Sequence, residues 1–164
     1  MTLSTLTYES PVGPLGLVAD EASLVAVLWP TEAEGRVRLA EEPAPAGDHP
    51  VLVKTAAQLD EYFAGTRRHF DLPLGPLGTE FQRQVWWSLA EIPFGETSTY
   101  GKQAAAIGRP TAVRAVGAAN GRNPLSIVLP CHRIVGADGK LTGFAGGLDT
   151  KRWLLDHEAS VAAD

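Results

Sequence analysis

The 164-residue chain has one cysteine, Cys131, set between Pro130 and the pair His132-Arg133 at the end of the apolar run Ile127-Val128-Leu129. A cysteine serving as a small hydrophobe belongs inside an apolar pattern, and this one stands at its polar edge. Thiol chemistry needs a thiolate, stabilised by nearby cations, imidazole or backbone N–H groups. His132 and Arg133 bring two of these ingredients into adjacent positions. In an extended segment, neighbouring side chains point to opposite faces, so His132 is expected to reach the thiol through a water rather than directly. Such a histidine needs an acid to orient it. Glu158, following His157, is one candidate; by spacing alone Asp138, Asp149 and Asp156 are equally eligible.

One cysteine excludes an internal disulfide and any multi-Cys zinc site, and the four histidines show no ligand spacing. Neither a metal nor a cofactor is expected. A lone thiol fits a reducing cytoplasm. The N-terminus MTLSTLTYES lacks a basic start and an apolar core, so a signal peptide is not expected, and no apolar run approaches the ~18 residues of a membrane span. The expected protein is cytoplasmic, away from membranes, and a monomer.

Net charge is −5, which on its face argues against a nucleic-acid partner; its distribution argues otherwise. Residues 1–96 carry 14 acids and 6 bases, whereas residues 97–137 hold Lys102, Arg109, Arg114, Arg122 and Arg133 and no acid. Screening confines charge effects to about 8 Å at physiological salt, so a local basic face on an acidic protein can hold a polyanion.

The elements that must position these groups divide in two. Leu3–Glu9, Leu15–Val18 and Leu24–Trp29 read as short strands, with a turn cluster at 10–14. Residues 30–50 read as an irregular loop. Asp48 or His49 then opens a helix over Val51 to Ala64, with Pro50 in its first turn and Gly65 as its stop. "RRHFDLPL" suggests one more strand, and "GPLG" at 75–78 a linker. Thr79 to Gln82 is a capping box ahead of Phe81, Val85, Trp86 and Leu89 at helical spacing. A short helix over about 98–106, a break at Gly108-Arg109-Pro110 and a helix from 110 to about 120 make a helix-turn-helix shape with a three- or four-residue turn. A last helix spans Asp149–Ala159, with Trp153, Leu154 and Leu155 inward. The fold class is α+β: a small N-terminal antiparallel sheet with a helix over 1–76, then a mostly helical unit over 77–164.

"PCHR" at 130–133, preceded by "RAVGAANGRNP" at 114–124 and followed by "GKLTGFAGG" at 139–147 and "KRWLLDHE" at 151–158, resembles the O6-alkylguanine-DNA alkyltransferases. The likeness runs nearly continuously over 79–159 and more loosely through the N-terminal half. It implies a repair protein that binds duplex DNA, extrudes O6-alkylguanine and transfers the alkyl group to its own cysteine; it leaves open whether O4-alkylthymine is also a substrate. By that resemblance Cys131 is the acceptor, His132 the water-linked base, and Glu158 the acid that holds His132. Asn123 braces the active-site turn, Tyr100 crowds the 3′ phosphate and protonates the leaving guanine, and Arg114 fills the hole left by the flipped base. Ala115, Asn120, Gly121 and Arg122 are implied at the DNA surface, and Ser126, Pro130, Phe144, Ala145 and Gly146 around the base. Two departures stand out. Many members have Tyr where this chain has Phe144, and the N-terminal zinc site of some members cannot be built with one cysteine.

Two other readings compete. A cysteine hydrolase would need His49, His69 or His157 beside the thiol and an oxyanion hole, and has no supporting motif. A DNA-binding lesion sensor or regulator would carry Cys131 as a structural, non-reactive residue.

Overall fold

A computed structural model describes residues 2–164. Strands β1 (Ser4–Ser10), β2 (Gly13–Ala19) and β3 (Leu24–Leu28) form an antiparallel meander, with Ser10 opposite Gly13 across the first turn. Their boundaries match the alternating apolar pattern, because a pleated strand sends alternate side chains to opposite faces. Leu15, Leu17 and Ala19 of β2 enter the main core, whereas Val18 packs with Leu3, Val25 and Ala26 on the other face.

The loop over 30–50 is more built than its composition suggests. Ala44–Pro45 forms a short strand, β4, parallel to β1, giving the sheet order β3-β2-β1-β4. Val37 and Leu39 cover the outer face of the sheet. The expected strand within 67–74 does not form. Pro73 has no N–H to give a ladder, and the Gln58 side chain takes both backbone groups of Asp71. What remains is one bridge, Leu24 to Leu74.

Helix α1 (Pro50–Ala64) starts where its signals place it. His49 Nδ1 accepts from Val51 N–H, Pro50 occupies the first turn, and Gly65 ends the helix at φ 81°, a conformation that favours glycine. Its Leu52, Leu59 and Tyr62 are buried in the main core.

Helix α2 (Glu80–Ser88) carries the predicted capping box: Thr79 Oγ1 accepts from Gln82 N–H, and Gln82 Oε1 accepts from Thr79 N–H. Gly78 is dictated by packing, since a Cβ there would lie 2.5 Å from the Trp86 ring. Trp86 in turn donates its indole N–H to Ala119 O at 2.7 Å, tying α2 to the helix pair behind it.

That pair is α3 (Tyr100–Ala106) and α4 (Val113–Gly121). The connection is six residues rather than three or four. Arg109 to Ala112 close a turn of their own (Ala112 N–H to Arg109 O, 2.9 Å), so α4 begins three residues later than expected. Two-residue strands β5 (Ser98–Thr99) and β6 (Ile134–Val135) pair in parallel and fasten the start of α3 to the end of the cysteine turn. Helix α5 (Leu148–Ala162) runs beyond both expected ends. Its inward stripe is Lys151, Leu154 and Glu158; Trp153 and Leu155 are only half-buried. Among the described residues, no helix is long and apolar enough to cross a membrane.

Candidate active site

Asn123 makes the turn that presents the thiol. Fully buried, it donates its side-chain amide to Leu129 O at 2.9 Å and accepts from Leu125 N–H at 3.0 Å, bridging both ends of the loop. The loop is pinned to the sheet by Val27 N–H bonding Pro124 O at 2.8 Å. Within it Ile127 sits at φ 72°, a left-handed conformation that costs a β-branched residue about 1–3 kcal/mol and persists only when its surroundings enforce it. Pro130 follows, and Cys131–Arg133 close as a single 3-10 turn, not the extended segment expected.

The turn separates the three side chains. Cys131 is a free thiol at a small cavity of about 90 Å³. His132 is fully buried, and its Nε2 lies 2.7 Å from Glu158 Oε2. Arg133 turns away from the thiol, contrary to the expectation that it supports the thiolate: its Nε and Nη2 meet Glu158 at 2.7 and 3.1 Å, and Nη1 donates to Ile92 O. Of the four acids eligible by spacing, Glu158 is therefore the partner of His132; Asp138, Asp149 and Asp156 are exposed. His132 Nδ1 is buried and makes no hydrogen bond.

The electrostatics follow from burial. Burial pushes the Cys131 thiol above its ordinary value, against the opposing pull of the Asn123 side chain and of the Arg36 and Lys151 charges. Burial likewise lowers His132, with Arg133 and Lys151 adding to it and Glu158 opposing, so the imidazole is neutral near pH 7. Burial alone would raise Glu158, but its hydrogen bonds and charge contacts with His132 and Arg133 overcome that and hold the carboxyl well below the usual range. An ionised Glu158 next to a neutral imidazole makes Nε2 the donor and leaves Nδ1 with a lone pair.

Tyr100 and Gly117 from the helix pair, Ser126 from the loop before the thiol, Phe144 and Ala145 from the loop before α5, and Arg36 line the cavity with Cys131. Tyr100 shares a 2.5 Å hydrogen bond with Thr142 Oγ1. Phe144 packs edge-on against Trp29, whose indole N–H donates to Ser126 Oγ at 3.0 Å. Pro130 and Gly146, expected around the base, do not line the cavity. Pro130 is buried and precedes the turn, and a Cβ at Gly146 would fall 2.8 Å from the Trp29 ring. A larger groove of about 540 Å³ shares Arg36 with this cavity and is not lined by Cys131.

Arg114, Ala115 and Gly121 on α4, and Arg122 at its C-terminal cap, are exposed. Asn120, expected among them, is 8% exposed, and its amide is engaged with Gln103 in a reciprocal pair at 2.7 and 3.1 Å. It joins α3 to α4 and also lines the cavity at Cys131. Arg122 bonds Gly35 O at 3.1 Å, linking α4 to the loop after β3.

Three residues of the site escaped the sequence reading. Arg36 donates to Asn123 O at 2.9 Å and pairs with Glu32, and nothing in its loop marks it beforehand. Lys151 is 1% exposed with its ammonium 5.9 Å from the Phe144 ring centre; a lysine seven residues before Glu158 on one helical face was the available signal. Tyr62 donates its hydroxyl to Glu158 across 96 residues of sequence, with no local mark of it. For the hydrolase reading, His49 Nδ1 caps α1 and His157 Nε2 bonds Tyr62 O, so neither serves Cys131.

Fold and site together define a protein with a free thiol at a small cavity, a buried Glu158–His132 pair and an exposed basic helix, and comparison with known proteins makes the class specific. The family model for the 6-O-methylguanine DNA methyltransferase DNA binding domain matches residues 80–160, and that for the ribonuclease-like domain matches residues 5–76. The methylated-DNA–protein-cysteine methyltransferase of Methanosarcina acetivorans is 48% identical over 153 residues, covering 93% of this chain and 96% of that protein. The Mycobacterium tuberculosis protein of the same name is 44% identical over 158 residues, covering 95% and 92%. The crystal structure of M. tuberculosis OGT in complex with DNA superposes with a TM-score of 0.82 at 42% identity, covering 98% of this chain and 94% of that one. The chain belongs to the 6-O-methylguanine DNA methyltransferase family.

Proposed function

We propose that this protein binds duplex DNA, extrudes an O6-alkylated guanine and transfers the alkyl group irreversibly to Cys131, once per molecule. The observation that carries the reading is the relay Glu158–His132, with a buried, unpartnered Nδ1, behind a free thiol at a cavity. The Cys131 proton passes toward His132 Nδ1 through one water, and Glu158 stabilises the imidazolium. The thiolate attacks the saturated alkyl carbon in line. A C–S bond forms, the C–O bond breaks, and the electron pair leaves on the guanine. Tyr100 protonates the departing base and regains a proton from the His132 imidazolium through solvent, so the alkyl group and the Cys131 proton have changed places in net terms. No tetrahedral oxyanion is formed, and a soft thiolate suits displacement at saturated carbon.

Arg114, exposed near the start of α4, is the residue proposed to enter the stack and offset the few kcal/mol of unstacking. Arg122, Ala115 and Gly121 flank it on the DNA side. A cavity of about 90 Å³ is well below the roughly 300 Å³ of ordinary ligand pockets, so base entry requires the cavity to widen. Asn123 holds the thiol's turn while this happens. We read residues 1–76 as the unit that braces the site and 77–164 as the unit that contacts DNA. We read the protein as acting as a monomer, in the cytoplasm, where a thiol that must stay reduced is kept so.

The Arg114→Ala variant tests the flipping arm. Transfer from O6-methylguanine in duplex DNA should fall far more than transfer from free O6-benzylguanine, because only the duplex has a vacated stack. Equal loss on both substrates would remove Arg114 from that role.

A further inference from the structure

Glu158 is held from two parts of the chain. Its Oε1 accepts from Arg133 Nε, while Oε2 accepts from three donors: His132 Nε2 at 2.7 Å, Arg133 Nη2 at 3.1 Å and the Tyr62 hydroxyl at 2.6 Å. Tyr62 belongs to α1, in the N-terminal part, and is wholly buried. Its ring packs against Phe63, Phe70 and Phe94. Packing alone would be served by phenylalanine. A hydroxyl placed there has one polar neighbour to satisfy, and it is the carboxylate oxygen that also holds His132.

We propose that Tyr62 is a positioning residue of the alkyl-transfer centre, its O–H occupying part of Glu158 Oε2 and thereby setting how strongly that carboxylate retains a proton on His132. The proposal rests on the alkyl-transfer reading above. Donors to a carboxylate stabilise its charge and reduce its pull on any one proton. Tyr62 does this without adding charge, unlike Arg133. Burial, then the charge and hydrogen bond of Glu158, push the phenol well above its ordinary value, so it remains a donor throughout the working range. The N-terminal part thus tunes the base from behind.

The other groups facing this system stay in place when the hydroxyl is removed. Arg133 and Lys151 act on His132, and Arg36, Lys151 and the Asn123 side chain act on Cys131. On the α5 side, His157 meets the Tyr62 backbone carbonyl, not its hydroxyl. In Tyr62→Phe, Oε2 is left to His132 and Arg133. Its hold on the imidazole proton strengthens, His132 becomes a stronger base, and the thiolate–imidazolium pair forms at lower pH.

The test uses the full chain, with Cys131 modification followed against pH by two reagents, iodoacetamide and free O6-benzylguanine. Tyr62→Phe should move the midpoint of both profiles to lower pH by about half a unit or more. Fluorotyrosine placed at 62, a stronger donor of the same shape, should move it the opposite way, and answers the question even where Tyr62→Phe folds poorly. Phe63→Leu, a packing change beside the ring, should lower the melting temperature and leave the midpoint unmoved. Unshifted midpoints in the position-62 variants, whatever happens to overall rate or melting temperature, would overturn the proposal. A shifted iodoacetamide profile in a protein that never reacts with O6-benzylguanine would keep the coupling and refute the alkyl-transfer reading instead.

Discussion

Cys131 carries two opposed demands: it must be sheltered enough to exclude water from the reacting bond, yet able to ionise. Burial dominates and raises the thiol, which is why the proposed mechanism needs His132 to take the proton. The nearby cations temper this. Lys151→Met should raise the thiol's midpoint further and slow iodoacetamide modification near pH 7; an unchanged profile would show that the ammonium is too well screened to matter. Glu158→Gln removes the charge that supports the imidazolium and leaves Arg133 buried without its counter-ion. Alkyl transfer should slow, and stability should fall by about 3 kcal/mol or more in urea unfolding. Retention of the wild-type pH–rate profile in that variant would mean another acid braces the histidine. At this scale the sequence made Cys131 and His132 legible, because a thiol between proline and imidazole is an unusual local arrangement. It left Glu158 among four acids, and Tyr62 and Arg36 were out of reach, because their contacts span 96 and 87 residues of chain.

Elements with explicit local chemistry were read closely. The Thr79–Gln82 box, the Pro50 start and the Gly65 stop all fall within a residue of the expected ends, because capping is decided by side chains within one turn. Thr79→Ala should cost about 1 kcal/mol, visible as a lower urea midpoint with unchanged slope. A cost near zero would mean that Trp86 packing alone sets the start of α2. Elements decided by tertiary contacts were misread. The 67–74 segment has strand-like residues, but Pro73 and the Gln58 amide give its backbone other solutions. The α4 start moved because Arg109–Ala112 form a separate turn, and Asn120, polar on a basic helix, spends its amide on Gln103. Composition also underread the 30–50 loop, whose sparse apolar residues Val37 and Leu39 cover the sheet.

For the molecule as a whole, the buried relay makes folding sensitive to acid. His132 binds its proton less readily folded than at its ordinary value of 6.5, and Glu158 likewise lies below its ordinary 4.5. The unfolded chain therefore takes up more protons as pH falls, and stability is lost in two stages, below about pH 6.5 and again below about pH 4.5. Melting temperatures across that range should show both stages, and His132→Gln should abolish the upper one. Alkylation acts on the same region: a thioether gives up the interactions with the Asn123 side chain and with the Arg36 and Lys151 charges that favour the thiolate, so the spent protein should melt earlier than the fresh one. The central claim is irreversible transfer to a single acceptor, since a thioether offers water no leaving group and the chain has no second cysteine. Its most direct measurement is incubation with excess O6-methylguanine duplex, following lesions removed and the mass of the peptide containing Cys131. The account predicts a burst that stops at one lesion per protein, with one methylene's mass added to that peptide. Turnover continuing past that point, or lesion loss with an unmodified Cys131, would contradict it.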